Sequence, residues 1–229
     1  MGQHTLQGNP PITVQLRTSA RAKRLSLRLS RLDGKVTLTV PSFASDKQAI
    51  SFLEEREDWL RKHHADVKPA ETVSVGSTVP YAGVDVPVVL GDGRRAAITD
   101  AGIVVPDAVT AGTKVKALLK ARARDMLATV SDDYAAALGR PYTRLTLRDT
   151  RSRWGSCTSD GGLMYSWRLI MAPPEVLHYV AAHEVAHLQE MNHSAAFWAV
   201  VEQLYGDYAA PRRWLRKEGD RLHRVTFGD

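Results

Sequence analysis

The chain has 229 residues, 44% of them hydrophobic and 24% charged, which supports a buried core and excludes a disordered or collagen-like polymer. No uncharged apolar run reaches the ~20 residues that span a bilayer, and the opening segment lacks the basic-then-apolar pattern of a secretory signal. A single cysteine, Cys157, excludes an internal disulfide, and a net charge of +6 favours acidic partners. Together these features predict a cytoplasmic protein with no membrane association.

In chain order, residues 12–18 and 23–31 read as strands, and Asp33-Gly34 turns the chain into a third, 35–40, where Val36, Leu38 and Val40 alternate. Pro41 ends that run. Ser45 followed by Gln48 is a capping box that opens a helix to about His63. Residues 72–105 resolve into four short strands broken at Gly83, at 91–93 and at 100–102. The small residues 108–112 form a link, which divides the chain into a β-rich accessory domain, 1–110, and a second domain, 111–229. That second domain opens with a long helix, 113–138, closed by Gly139. Strands at 143–148 and 162–170 follow, then helices at 174–191, 194–205 and 211–223. The expected class is α+β, a β-rich N-terminal domain with one helix before a mostly helical domain with a small sheet.

Charge is unevenly spread. Between Thr13 and Arg31 lie Arg17, Arg21, Lys23, Arg24, Arg28 and Arg31 with no acid, and Thr113–Arg124 holds five more basic residues, again with none. Such runs are ordinary solvated faces or a guide for nucleic acid or another polyanion. Few aromatics are interleaved with these basic residues, so the sequence gives base stacking little support.

The chemistry concentrates in VAAHEVAHLQEMNHSAAFW. His183 and His187 are four apart, so one helical turn sets both imidazoles on one face, with Glu184 beside them. From Val176 to Leu188 the only charged residue is Glu184. A lone carboxylate in an apolar helix is costly without a partner, and a metal with its water would supply one. His193 comes six residues after His187, so the chain must leave the helix to return it, and Asn192 suits such a break through the left-handed conformation. Three histidines and an open fourth position describe a catalytic zinc site. Glu202 is the alternative third ligand, and Glu190, Glu202 and Asp207 are candidates to orient an imidazole.

Arg151, Arg153, Trp154, Gly155, Ser156 and Cys157 form a second concentrated motif, its two arginines suited to a carboxylate or phosphate. Cys157 reads as a small buried residue, and Phe197 and Trp198 as core. Tyr165, Arg168, His178 and Tyr179 are close enough in sequence to be offered as stabilisers of charge on the reacting oxygen, with Tyr165 and Arg168 counted among the substrate-binding residues.

R-S-R-W-G-S-C, Y-S-W-R-L-I-M-A-P-P, H-E-V-A-H-L and N-H-S-A-A-F-W, together with R-A-K-R-L-S-L-R-L-S and D-G-K-V-T-L-T-V-P near the N-terminus, resemble the YgjP-like metallopeptidase family, which is similar to the WLM and SprT-type zincin proteases. The resemblance implies a zincin-like second domain with one zinc on His183, His187 and His193 and Glu184 as catalytic base. It also implies that 162–170, ahead of the active helix, is the edge strand to which an extended peptide adds, while the residues alone read equally as an ordinary core strand with Leu163, Tyr165, Trp167 and Leu169 on one face. Metzincins share the histidine spacing but carry Gly where this chain has Glu190, and that label is rejected. The expected function is zinc-dependent hydrolysis of a protein or peptide. The alternatives are a metal-dependent phosphoanhydride hydrolase acting on nucleoside triphosphates, or a basic nucleic-acid-binding module with a vestigial HExxH.

Overall fold

The computed structural model describes residues 2–30, 32–67 and 69–228, so Arg31 of the basic run lies outside the described residues. The chain packs as two units, Met1–Ala70 and Glu71–Asp229.

Period-two alternation builds the first unit. Its strands β1 (Gly2–Leu6), β2 (Ile12–Ser19), β3 (Ser26–Leu29) and β4 (Val36–Pro41) form one sheet in the order β1-β2-β4-β3. Ile12, Val14, Val36, Leu38 and Val40 share the buried face because side chains two apart point the same way. β2 and β4 are parallel with Leu16 opposite Leu38, and β3 returns antiparallel through the Asp33-Gly34 turn, where Gly34 takes φ 68°. β1 had no strong signal, since GQHTL offers one large apolar residue.

The Ser45 capping box forms: the Ser45 hydroxyl accepts from the Gln48 N–H, and the Gln48 side chain accepts from the Ser45 N–H at 2.9 Å. The single helix expected to His63 is two, α1 (Asp46–Glu55) and α2 (Glu57–Ala65). Between them the Arg56 N–H bonds the Leu53 carbonyl at 3.1 Å, a three-residue tightening that ends the first helix. Ala49, Leu53 and Leu60 close the core under the sheet.

The second unit begins earlier than the 108–112 link. β5 (Glu71–Thr72) pairs in parallel with β13 (Val225–Thr226). β6 (Thr78–Tyr81), β7 (Val84–Leu90), β8 (Ala97–Thr99) and β9 (Gly102–Val105) form a sheet in the order β6-β7-β9-β8, broken at the expected glycines. The division falls after Ala70 because Val73, Val79, Val88, Ile103 and Val105 share one hydrophobic core with the long helix α3 (Ala111–Leu138). Of the 108–112 link, residues 108–110 are a turn inside this unit and 111–112 already belong to α3; the turn is held where Asp107 accepts from the Thr110 N–H at 2.7 Å.

Val115, Leu119, Ala123 and Leu127 recur every fourth residue along α3 and are fully buried, which makes this helix the spine of the unit. Gly139 closes it at φ 67°. β10 (Arg144–Arg148), β11 (Gly155–Cys157) and β12 (Gly162–Ser166) form a three-stranded sheet in the order β10-β12-β11, with β12 parallel to β10 and antiparallel to β11. The strand expected over 162–170 stops at Ser166, and Trp167–Met171 coils into a fully buried 3-10 helix packed on α3. α4 (Pro174–Ala186), α5 (Ala195–Tyr205) and α6 (Ala209–Arg224) complete the unit. The class is α+β as expected, strand-rich first and mostly helical with a small sheet last. Among the described residues no helix is long and apolar enough to cross a membrane.

Candidate metal centre and active site

The HEVAH segment sits at the end of a helix, not in the middle of one. α4 stops at Ala186, and His187 is its C-cap at φ −65°, ψ −15°. The next turn tightens to three-residue bonds, Leu188 N–H to Val185 at 2.9 Å and Gln189 N–H to Ala186 at 3.0 Å. The break is therefore made at His187, without Asn192: Ala82 is the only non-glycine residue at positive φ among those described. Ser194 then caps α5 by accepting from the Phe197 N–H at 3.3 Å, which fixes the loop that returns His193.

The three imidazoles converge. Nε2 of His193 and Nε2 of His183 are 3.1 Å apart, and one ring nitrogen from each of His183, His187 and His193 lies within 4.8 Å of the others. Two nitrogens bound tetrahedrally to one zinc, each at ~2.0–2.1 Å, stand roughly 3.3–3.4 Å apart, so the cluster fits a single ion. His187 Nδ1 lies 2.9 Å from the Glu190 carbonyl, and donating to it leaves Nε2 free to ligate. The orienting group is thus main chain, not one of the three expected carboxylates. Asp207 instead accepts from the Ala209 N–H, and Glu202 is exposed and outside the histidine cluster. His183 Nδ1 is buried with no hydrogen-bond partner among the described residues.

The surroundings keep the rings neutral, the form that binds metal. Burial, reinforced by the neighbouring His187 and His193, pushes His183 down from 6.5 to about 3, and burial lowers His187 too. Phe197, fully buried as expected of a core residue, sits against all three: its ring centroid is 4.4 Å from His187, 4.7 Å from His193 and 4.8 Å from His183. Tyr179 packs on His183 at 5.9 Å and stacks on Tyr208 at 6.0 Å. Tyr208 in turn stacks on Trp198, which carries the Arg212 guanidinium 4.6 Å from its ring. This aromatic wall is drawn from α4 (Tyr179), α5 (Phe197 and Trp198) and the N-cap of α6 (Tyr208), and the sequence did not show that these rings meet.

Glu184 is buried beside the cluster, and burial raises its carboxyl from 4.5 to about 8, countered in part by the charge of Arg153. Its near neighbour is Gly155 on β11, where a Cβ would stand 2.6 Å from Oε1. Only a residue without a side chain lets β11 approach this closely. The sequence marked the W-G-S-C stretch but not its partner.

Of the other expected site residues, Arg153 stays close enough for its charge to act on Glu184, and the rest separate. Arg153 and Arg151 are exposed, and Arg151 lines a polar cavity of about 510 Å³ with Asp149, Arg168 and His223. Trp154 stacks on His223 at 4.9 Å. Tyr165 is fully buried with its hydroxyl 3.1 Å from Ser131, out of reach of any substrate. Arg168 is likewise committed: Nε and Nη2 donate to both oxygens of Asp149, and Nη1 donates to the carbonyls of Leu222 and Val225 at 2.7 and 2.9 Å. It ties the 3-10 helix to the C-terminal segment. His178 turns to Tyr134, 6.4 Å away on α3. Cys157 is half-buried, and burial with the nearby Glu184 and Asp160 raises its thiol to about 11, so it stays protonated. Nor is 162–166 an edge strand, because β12 is paired on both sides; the outer strand beside Glu184 is β11.

Among solved structures, the metallopeptidase zymogen of Pyrococcus abyssi abylysin is similar at 21% identity and a TM-score of 0.34, over 42% of this chain and 95% of that one. So slight a likeness carries no argument. No curated protein matches. The family model of the YgjP-like metallopeptidase domain matches residues 23–218. Spanning most of the sequence and including the histidine cluster, that match shows that the chain belongs to the YgjP-like metallopeptidase family.

Proposed function

We propose that this chain is a zinc-dependent peptidase in which His183, His187 and His193 hold one zinc ion and Glu184 is the general base. The observation that carries the reading is the convergence of three imidazole nitrogens within 4.8 Å beside a buried carboxylate, the only charged residue between Val176 and Leu188. A zinc ion bound there supplies Lewis acidity, activating water and polarising a carbonyl oxygen.

The chain's own residues handle protons and position. Burial makes the Glu184 carboxylate basic enough to accept a proton from the attacking water and to return it to the leaving amine. Gly155 holds that carboxylate in one place by contact. The outer edge of β11 offers backbone groups to which an extended peptide can add, bringing its scissile bond alongside Glu184.

The test combines metal content and cleavage. Elemental analysis of the untagged protein is expected to find about one zinc per chain, and His193→Ala to lose it. Unfolded casein is the first substrate, with Glu184→Gln expected to keep the metal and lose cleavage. Release of phosphate or pyrophosphate from a nucleoside triphosphate, with casein untouched, would replace the peptidase reading with the phosphoanhydride one. Absence of metal even after zinc is added back would overturn both.

A further inference from the structure

The basic run near the N-terminus gains a partner in three dimensions that the sequence hides. The open face of the first sheet carries Gln3, Gln15, Thr37 and Arg28 across one row and Arg17, Thr39 and Ser26 across the next. No acidic residue occurs between residues 2 and 32. Arg17, Arg21, Lys23, Arg24 and Arg28 are all exposed, and none has a hydrogen-bond or ion-pair partner among the described residues. Elsewhere Arg61, Lys114, Arg144 and Arg221 each pair with a carboxylate.

The connection 20–24 leaves β2 at the same end of the sheet where β4 finishes, since Ser19 is registered with Pro41. Just beyond Pro41 stands Phe43, 77% exposed, the largest exposure of any aromatic residue described in this unit. Phe43 and Arg24 line one groove of about 410 Å³, with Gln48 and Glu55 also on its wall. Within this unit the exposed ring shares its groove with one cation, Arg24, unpaired among the described residues. It matches the requirements of a base-stacking platform flanked by phosphate contacts.

We propose that the first unit binds single-stranded nucleic acid, with a base stacked on Phe43 in the groove and the backbone phosphates on Arg17, Arg21, Lys23, Arg24 and Arg28. A duplex fits less well, because its bases are already stacked and Phe43 could not engage one. An acidic protein would use the cations without needing a flat ring in the groove. The inference is independent of the zinc reading, and metal-stripped protein serves as well as the native form.

The experiment measures fluorescence anisotropy of the full chain with a labelled oligothymidylate, an oligouridylate and a duplex of the same length, from about 50 mM to about 200 mM salt. Both single strands are expected to bind more tightly than the duplex, with affinity falling steeply with salt. Combined Arg21→Gln, Lys23→Gln and Arg24→Gln should reduce the salt slope by about two, at ~0.7 per phosphate contact on a single strand. Phe43→Ala should weaken binding about tenfold with the slope unchanged, the loss expected for one stacked base. The matched control, Lys120→Gln with Arg124→Gln on α3, should bind as wild type. Melting curves superposing on wild type show that each variant is folded. Failure to saturate at low salt, preference for the duplex, or wild-type affinity in Phe43→Ala would each overturn the proposal.

Discussion

Gly155 and Glu184 are in contact: a methyl group on Gly155 would stand 2.5 Å from Cγ of Glu184 and 2.6 Å from its Oε1. The carboxylate is buried, so it cannot swing into solvent to make room. Gly155→Ala should therefore displace Glu184 while leaving the histidines untouched. The expected result is a fall in turnover of about 100-fold, the usual penalty for a misplacement of about an ångström, with zinc content unchanged. Full activity in this variant would mean that the contact plays no part in placing the base.

Zinc bound by the native state alone adds to stability by mass action. A chelator should lower the melting temperature of the wild type and have no further effect on His193→Ala, whose cluster is already incomplete. Equal sensitivity in both proteins, read by thermal denaturation, would remove His193 from the ligand set.

Phe197 lies against all three imidazoles and has no exposed surface. Truncation to Ala should cost about 3–5 kcal/mol through the cavity left behind. Phe197→Leu keeps most of the packing but loosens the rings, and should weaken zinc about tenfold, as changes behind metal ligands do. Competition with a chromophoric chelator reads the second effect, and urea denaturation the first.

Arg168→Met should lower stability by about 2–3 kcal/mol, because the carbonyls of Leu222 and Val225 lose a charged donor and Asp149 loses its fork. Arg168→Lys should not rescue it, since an ammonium cannot satisfy that planar arrangement. Zinc content per folded chain should stay at the wild-type level in both. A loss of substrate affinity without loss of stability would return Arg168 to the substrate site.

The same clamp sets a pH dependence. His223, stacked on Trp154, is pushed from 6.5 to about 4, first by burial and then by the charge of Arg168, against the opposing pull of Asp149. Folding therefore favours its neutral form. Its contribution to stability is complete above about pH 6.5 and is lost as the pH falls toward 4. His223→Gln should lose less stability than wild type between about pH 7 and about pH 5. The buried His183 and His187 titrate in both proteins, so the difference isolates His223.

What the sequence determined by itself is whatever depends on near neighbours along the chain. The Ser45–Gln48 box, the Asp33-Gly34 hairpin turn and the Gly139 stop each rest on a few adjacent residues, and each is found where expected. The histidine cluster was legible for the same reason: His183 and His187 are one helical turn apart, and His193 returns within a short loop. Even so, the point at which α4 ends was misplaced, because the hydrogen bonds that tighten at His187 leave no mark in residue type.

Tertiary structure decided what depends on residues far apart. Apolar alternation in 162–166 is the same for an edge strand and a central one, and only pairing to both β10 and β11 puts β12 in the middle. An arginine near the motif reads as a substrate ligand until its donors meet Asp149, Leu222 and Val225, the last two more than fifty residues away. Residues 71–105 look like part of an N-terminal β-rich domain until their core is seen to be the face of α3. Phe43 lies outside the basic run in sequence and joins Arg24 in one groove in space. Hydrophobic periodicity reports which side of an element is buried, but the choice of what buries it is made by the packing of distant elements, and that information is not local.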